Sequence, residues 1–182
     1  MVDNMNNPMK EIVIEKVTLN IGTGEAGDRL EKAQKLLERI SGKKVVKTVT
    51  KKRIPSWGVR PGLTIGVKTI LRGSEAVEIL KKLFAAVENR VKPRNFDAEG
   101  NLAFGMAEYI HIPGVRYDPS IGIMGLDICI TLKRKGGYRT KRKAYRSAKI
   151  GKAHRITIPE SQEFFKNKFG IDVSEKAVKT YY

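Results

Sequence analysis

The sequence predicts an α+β fold, in which a largely antiparallel sheet carries two long helices on one face and leaves the opposite face open. Apolar residues alternate with polar ones in several short segments, as in strands with one buried face. In two longer segments they recur at helical spacing. The order of segments is strand, helix, strand, strand, helix and then strands, which favours an α+β sheet over repeated parallel βαβ units.

The first third of the chain predicts a strand, a helix and a second strand. The strand covers residues 11–21 and is followed by a turn at Gly22-Thr23-Gly24. Gly42 is expected to end the helix, and the β-branched residues of 44–50 predict the second strand. One side of the first strand should carry Val13, Val17, Leu19 and Ile21, and the other Lys16, Thr18 and Asn20. The stripe of the helix is Leu30, Ala33, Leu37 and Ile40.

The middle of the chain predicts a loop, a third strand and a second helix. Proline and glycine interrupt regular structure in 54–63, and the strand over 64–72 should place Lys68 and Arg72 on the face opposite Val67. Ser74 is expected to cap the helix and Pro93 to end it. Its apolar stripe is Val77, Leu80, Phe84, Val87 and Val91.

The last part of the chain predicts two more strands and a basic extension. Strands are expected at 105–112 and at 126–132, the second burying Leu126, Ile128, Ile130 and Leu132. Pro159 should open a short helix that Gly170 closes. We therefore expect one α+β domain over residues 1–135, with a basic C-terminal extension over 136–182 packed on or beside it.

The charge of the chain points to an anionic partner. Its 182 residues include 36 Lys and Arg against 19 Asp and Glu, a net charge of +17. Neither 43–71 nor 133–155 contains an acidic residue. A solvated surface usually mixes both signs, so two long basic runs favour contact with nucleic-acid phosphates. The predicted open face, which carries Lys16, Lys68 and Arg72, would suit RNA phosphate and ribose.

Other classes of protein fit the sequence less well. No stretch approaches the ~20 apolar residues of a membrane span, and residues 1–10 do not resemble a signal peptide. Cys129 is the only cysteine, which rules out an internal disulfide and suits a cytoplasmic protein. His111, Cys129 and His154 lack the spacing of metal ligands. We expect a packed Cys129 thiol, and a His154 that meets phosphate or solvent.

The segment Gly22-Thr23-Gly24-Glu25-Ala26-Gly27 matches the G-x-G-x-x-G pattern of dinucleotide sites. The acidic residue expected ~20 positions later is missing, and the next two strands are predicted to form a hairpin. We therefore interpret the segment as a turn whose amides could face RNA phosphate. Because no acid–base pair stands out either, the sequence predicts no catalytic residues, cofactor or metal.

Two segments combine aromatic and basic residues. Trp57 lies in the Pro- and Gly-rich loop 54–63, where its ring could stack on a base or fold back onto the body. Segment 135–146 interleaves tyrosines with Lys and Arg, and could order against RNA or remain a solvated tail. The basic neighbours of both segments favour contact with nucleic acid.

Several motifs, in the same order, resemble one known family. They are Val17–Ala26, Leu37–Gly42 with Thr48–Arg53, Gly58–Gly62 with Ile65–Lys68, Leu71–Gly73, Asn95–Asp97 with Gly100-Asn101, and Gly125–Ile128. Together they resemble the universal large-subunit ribosomal protein number five, and Lys149–Ile156 resembles the extension of its archaeal and eukaryotic members. Trp57 stands where bacterial members more often have Phe, and Lys43 where Gln is common.

The resemblance implies a structural protein of the cytoplasmic ribosome. It would attach 5S rRNA to the large-subunit rRNA in the central protuberance, next to other large-subunit proteins. It would also contact a small-subunit protein across the subunit interface, and its loop would reach P-site tRNA; a chaperone for any nucleic acid is the alternative. Candidate rRNA contacts are Lys16, Thr18, Asn20, Lys43, Thr48, Lys51, Lys68, Arg72, Arg94, Arg139, Arg142 and Arg146. Candidate tRNA contacts are Ser56, Trp57, Gly58 and Arg60.

Overall fold

The α+β prediction is confirmed by a computed structural model that describes residues 7–135 and 139–174. Five strands form one antiparallel sheet in the order β2-β3-β1-β6-β5. Its strands are β1 Ile12–Gly22, β2 Val46–Val49, β3 Thr64–Leu71, β5 Leu102–Met106 and β6 Leu126–Arg134. The helices are α1 Asp28–Ser41, α2 Ser74–Ala86, the short α3 Arg139–Arg142 and α4 Ile158–Phe169. A short parallel pair joins β4 Arg90–Val91 to β7 Asp172–Val173.

The core lies between the sheet and the two long helices. Val17 and Leu19 of β1 and Ile128 of β6 are fully buried, in one cluster with the apolar stripes of α1 and α2. Each large apolar side chain that is buried in this way stabilises the fold by about 1.5–3 kcal/mol. The amphipathic spacing of the helices therefore determines which face of the sheet they cover.

A β-bulge in β1 corrects the predicted face of its first residues. The register of β1 against β6 shifts between Ile14 and Lys16, which inserts one extra residue at Glu15. Ile12 and Ile14 consequently pack against the core together with Val17, and Val13 does not join them. Simple alternation, which placed Val13 beside Val17, fails because a bulge changes the phase of the side chains by one residue.

The second helix is shorter than its apolar spacing predicts. It ends at Ala86, and Glu88 and Asn89 then adopt left-handed backbone angles, each with φ of 54°. The chain turns there, so Val91 lies in β4 and the helix does not continue to Pro93. At the other end Gly73 occupies the cap position, and Ser74 is the first helical residue and not the cap.

The strand expected at 105–112 starts earlier and ends earlier. β5 buries Leu102, Phe104 and Met106 alternately, and 109–111 forms a 3₁₀ turn with Tyr109 fully buried. This alternation was present in the sequence, but Gly105 and the loop-like residues before it obscured the beginning of the strand.

The C-terminal helix completes the core. Thr157 and Glu160 form a capping box at its start, and Gly170 ends it in the left-handed conformation. Phe165 is fully buried, with its ring centroid 6.1 Å from those of Phe84, Phe96 and Phe169. Edge and tilted contacts of this kind stabilise aromatic pairs beyond the area that they bury.

Arg134 forms hydrogen bonds with three separate parts of the chain. Its position in a basic run had instead predicted a phosphate contact. It is 8% exposed on the core side of β6. Its guanidinium donates to the carbonyls of Lys10 at 2.8 Å, His154 at 3.2 Å and Arg155 at 3.3 Å, and to both carboxylate oxygens of Glu160. Burial would raise the pKa of Glu160, but the Thr157 N–H and Arg134 outweigh it and hold that pKa below its ordinary value.

Candidate nucleic-acid interface

The open face of the sheet is a set of cross-strand rows that run through β1. Asn20 lies between Lys68 of β3 and Asp127 of β6, and the row continues to Val46 and Gly105 at the two edges. The next row joins Ile70, Thr18, Cys129 and Ala103. Because opposite residues of an antiparallel pair share a face, these side chains form one continuous surface.

The cations of this surface are available to a ligand. Lys68 and Arg72 are exposed and Lys16 is half-buried, and none of the three forms an ion pair within the part of the chain that the structure describes. Asp127, also exposed, is the acid beside Asn20 in its row. The surface therefore combines cations with the hydroxyl of Thr18 and the amide of Asn20, groups that bind phosphate and ribose.

Thr48 lies beside this surface and makes a close contact across the edge of the sheet. It is in register with Gly66, whose position leaves no room for a side chain. A Cβ atom there would lie 2.8 Å from the Thr48 Oγ1 and 3.0 Å from the Ile21 carbonyl oxygen. The geometry thus holds β2 close to β3, with the half-buried Thr48 on the open side.

Four other predicted rRNA contacts are dispersed. Lys51 and Arg94 are exposed, whereas Lys43 forms an ion pair with Glu75 at the start of α2. Arg146 lies over the ring of the exposed Tyr145, with its guanidinium carbon 5.3 Å from the ring centroid. Of these four side chains, Lys43 would have to exchange a carboxylate for a phosphate in order to bind RNA.

The basic segment after β6 folds back toward the start of β1. Lys135 contacts Glu11 at 2.6 Å and Arg142 contacts Glu15 at 3.1 Å. Both cations are more than half exposed, so each pair contributes little stability by itself. Residues 136–138 lie outside the described residues, as does the side chain of Arg139, which begins α3.

The loop with the predicted tRNA contacts is a small, hydrogen-bonded hairpin. Ile54 and Val59 exchange backbone hydrogen bonds of 2.9 and 3.1 Å, and a 3₁₀ turn over Pro55–Trp57 forms the tip. Gly58 adopts the left-handed φ of 66° that closes this turn. Thr50 fixes the returning chain through a 2.6 Å hydrogen bond from its hydroxyl to the Arg60 carbonyl.

Trp57 projects from this hairpin and does not fold back onto the body. Its side chain is 75% exposed, whereas Val59 on the same loop is buried. Ser56, Gly58 and Arg60 are exposed around it. An exposed indole on an ordered turn offers a flat apolar surface for a nucleobase or ribose, at little cost in conformational entropy.

The glycine-rich turn after β1 uses its first two amides inside the fold. The N–H groups of Thr23 and Gly24 donate to the Ile65 carbonyl at 2.9 and 3.2 Å, so they are not available to an anion. Both sheet neighbours of β1, which are β3 and β6, run antiparallel to it, unlike the parallel neighbours in a dinucleotide fold. Within 7–135 and 139–174, no group of His, Cys, Asp and Glu residues could hold a metal ion, and no helix has the length and apolarity to cross a membrane.

One single-residue expectation is wrong: Cys129 is exposed on the open face and is not a packed thiol. Partial burial and the neighbouring Asp127 nevertheless raise its pKa. His154 is half-buried, and its Nε2 atom is buried without a hydrogen-bond partner among the described residues. Sequence reasoning also missed Ile70, which is 42% exposed on the open face; its alternation with Lys68 and Arg72 could have revealed it.

Comparison with known proteins identifies the family. The family model described as "Ribosomal protein L5" matches residues 7–60, and the model for the C-terminus of the same ribosomal protein family matches residues 64–157. Large ribosomal subunit protein uL5 of Sulfurisphaera tokodaii is 49% identical over 93% of this chain and 96% of the relative. The uL5 protein of Nitrosopumilus maritimus is 46% identical over 96% of this chain and all of the relative. The chain therefore belongs to the uL5 family of large ribosomal subunit proteins, as a structural constituent and not an enzyme.

Proposed function

We propose that this protein binds 5S rRNA and helps to attach it to the large-subunit rRNA in the central protuberance of the cytoplasmic ribosome. The observation that supports this proposal most directly is the open face, where Lys16, Lys68 and Arg72 have no ion-pair partner in the described part of the chain. Thr18 and Asn20 lie between them with hydrogen-bonding groups. The face would neutralise phosphates and recognise the shape of a folded RNA without any chemical step.

The remaining contacts belong to the same proposal. Thr48, Lys51, Arg94, Arg139, Arg142 and Arg146 would extend the rRNA interface beyond the sheet, and Lys43 would join it by exchanging Glu75 for phosphate. Ser56, Trp57, Gly58 and Arg60 would contact P-site tRNA from the hairpin. A small-subunit protein across the subunit interface and neighbouring large-subunit proteins complete the set of proposed partners.

Binding to 5S rRNA, compared with an unrelated RNA of equal length over a series of salt concentrations, tests the proposal. Phosphate contacts weaken for both RNAs as salt rises, because each contact releases counterions. Recognition of shape remains, so we expect the advantage of 5S rRNA to persist at the highest salt. If both affinities fall to one weak value, the protein is a general polycation and the chaperone alternative holds.

Replacing Trp57 with alanine is expected to weaken binding of tRNA about tenfold, with little change in binding of 5S rRNA. The exposed indole would lose its stacking contact, which contributes about 1–3 kcal/mol per base, while the hairpin hydrogen bonds do not involve its ring. Titration of tRNA against the wild-type, Trp57→Ala and Trp57→Phe chains measures the effect. The phenylalanine control keeps a stacking ring and should retain most of the affinity; equal losses in both variants would contradict stacking.

A further inference from the structure

A groove of about 410 Å³ runs along the outer edge of β5. Phe104 and Met106 contribute apolar atoms to it, and Ala86 and Val87 line it from the end of α2. Further along, Lys92 and Arg94 line it beside the His111 imidazole. This volume lies within the range of pockets that bind small organic groups, about 300–1,000 Å³.

The charges of the groove favour an anionic ligand with an apolar part. The lining has three cations, Arg90, Lys92 and Arg94, against the two acids Glu88 and Glu108, and Glu88 lies 3.7 Å from the Arg90 guanidinium. Lys92 and Arg94, by contrast, have no ion-pair partner in the segments 7–135 and 139–174. Guanidinium and imidazole planes can also stack on a nucleobase.

The groove is continuous with the open face of the sheet. Gly105 lines the groove and also ends the row that contains Asp127, Asn20 and Lys68. Gly105 has no side chain that would separate the two surfaces, and the nearest group on the open face is the Asp127 carboxylate, with an oxygen 3.4 Å from where a Gly105 Cβ would lie. A strand of RNA on the open face could therefore direct one nucleotide over this edge.

We propose that the groove binds a single unpaired nucleotide of an RNA chain, with its base against the apolar lining and its phosphate near Lys92 and Arg94. The inference rests on the proposed RNA-binding function and adds a second, base-accepting site to it. An acidic protein segment would satisfy the cations equally but would leave the apolar lining unused. The groove would thus select unpaired RNA, whereas the open face responds mainly to phosphates and ribose.

The test uses hexauridylate and an abasic ribose-phosphate hexamer of the same charge, bound to the full chain. Ala107 lines the groove and is exposed, so Ala107→Leu should fill part of the space. Ala85 is exposed on α2 away from the groove lining, so Ala85→Leu is the matched control. We expect Ala107→Leu to weaken hexauridylate about fivefold and to leave the abasic hexamer unchanged, and Ala85→Leu to affect neither. Thermal unfolding of both variants checks that they remain folded.

Photocrosslinking with a 4-thiouridine hexamer locates the base, and we expect the modified peptides within 86–95 or 104–111. Equal binding of hexauridylate, the abasic hexamer and hexaglutamate would overturn the proposal, as would crosslinks outside these segments. If free uridine monophosphate bound as tightly as hexauridylate, the proposal would also be overturned, because the groove would then be a site for a free nucleotide. Preference for 5S rRNA, measured separately on the wild-type chain, distinguishes failure of this site from failure of the proposed function.

Discussion

Replacing Arg134 with methionine is expected to lower the free energy of unfolding by about 3 kcal/mol. The side chain is 8% exposed and donates to three backbone carbonyls and one carboxylate. Methionine fills much of the volume but cannot donate, so three carbonyls and the Glu160 carboxylate lose their charged donor at a partly buried site. Hydrogen bonds from a charged donor are worth more than neutral ones, and this substitution removes several of them together.

Urea denaturation of the wild-type and variant chains measures this loss. Arg142→Met is the matched control, since Arg142 also pairs with a glutamate but is 62% exposed. An exposed pair contributes about 0–1 kcal/mol, so the control should unfold almost like the wild type. Similar losses in both variants would mean that Arg134 is no more than another surface cation.

Reversing two charges on the open face, with Lys68→Glu and Arg72→Glu, is expected to weaken binding of 5S rRNA about 100-fold near physiological salt, which corresponds to about 2.7 kcal/mol. Both side chains are exposed and have no ion-pair partner in the described residues, so their loss should cost the fold little. Each substitution would remove one phosphate contact and add repulsion between the new carboxylate and the RNA. The dependence of log affinity on log salt should become shallower by about 2.

The control for this variant is Lys81→Glu with Lys82→Glu, an equal change of charge on exposed positions of α2. Filter binding over a salt series compares the two double variants. If the open face carries the RNA, the α2 variant should lose affinity only through the change in net charge, by much less than the β3 variant. Matching losses would show that total charge, and not this face, determines the affinity.

The spacing of apolar residues predicted most of the fold, because a helix or strand with one buried face has apolar residues at regular intervals in its sequence. The stripe of α1 and the alternation in β3 and β6 needed only side-chain spacing, and Gly42 ends α1 in the left-handed conformation, as expected. The bulge at Glu15 and the left-handed residues Glu88 and Asn89 do not correspond to any such spacing. They depend on tertiary contacts that local preferences do not encode.

The candidate interface could be predicted only in part, because charge in a sequence does not reveal burial. Lys68 and Arg72 are exposed on the predicted face, whereas Arg134, in an equally basic run, is an internal hydrogen-bond donor. The sequence offered no means to separate these roles. The groove at the edge of β5 is lined by residues that are distant along the chain, so no local motif predicts it.

The position of Phe165 has a consequence for synthesis of the protein. Its ring lies among Phe84 and Phe96, and β7 pairs with β4, so segment 158–173 completes a core whose other walls are made earlier. A nascent chain that ends before Phe165 exposes that aromatic cavity. We infer that this core closes only after segment 158–173 has left the ribosome that makes it, and that until then the incomplete core is a surface for chaperones to recognise.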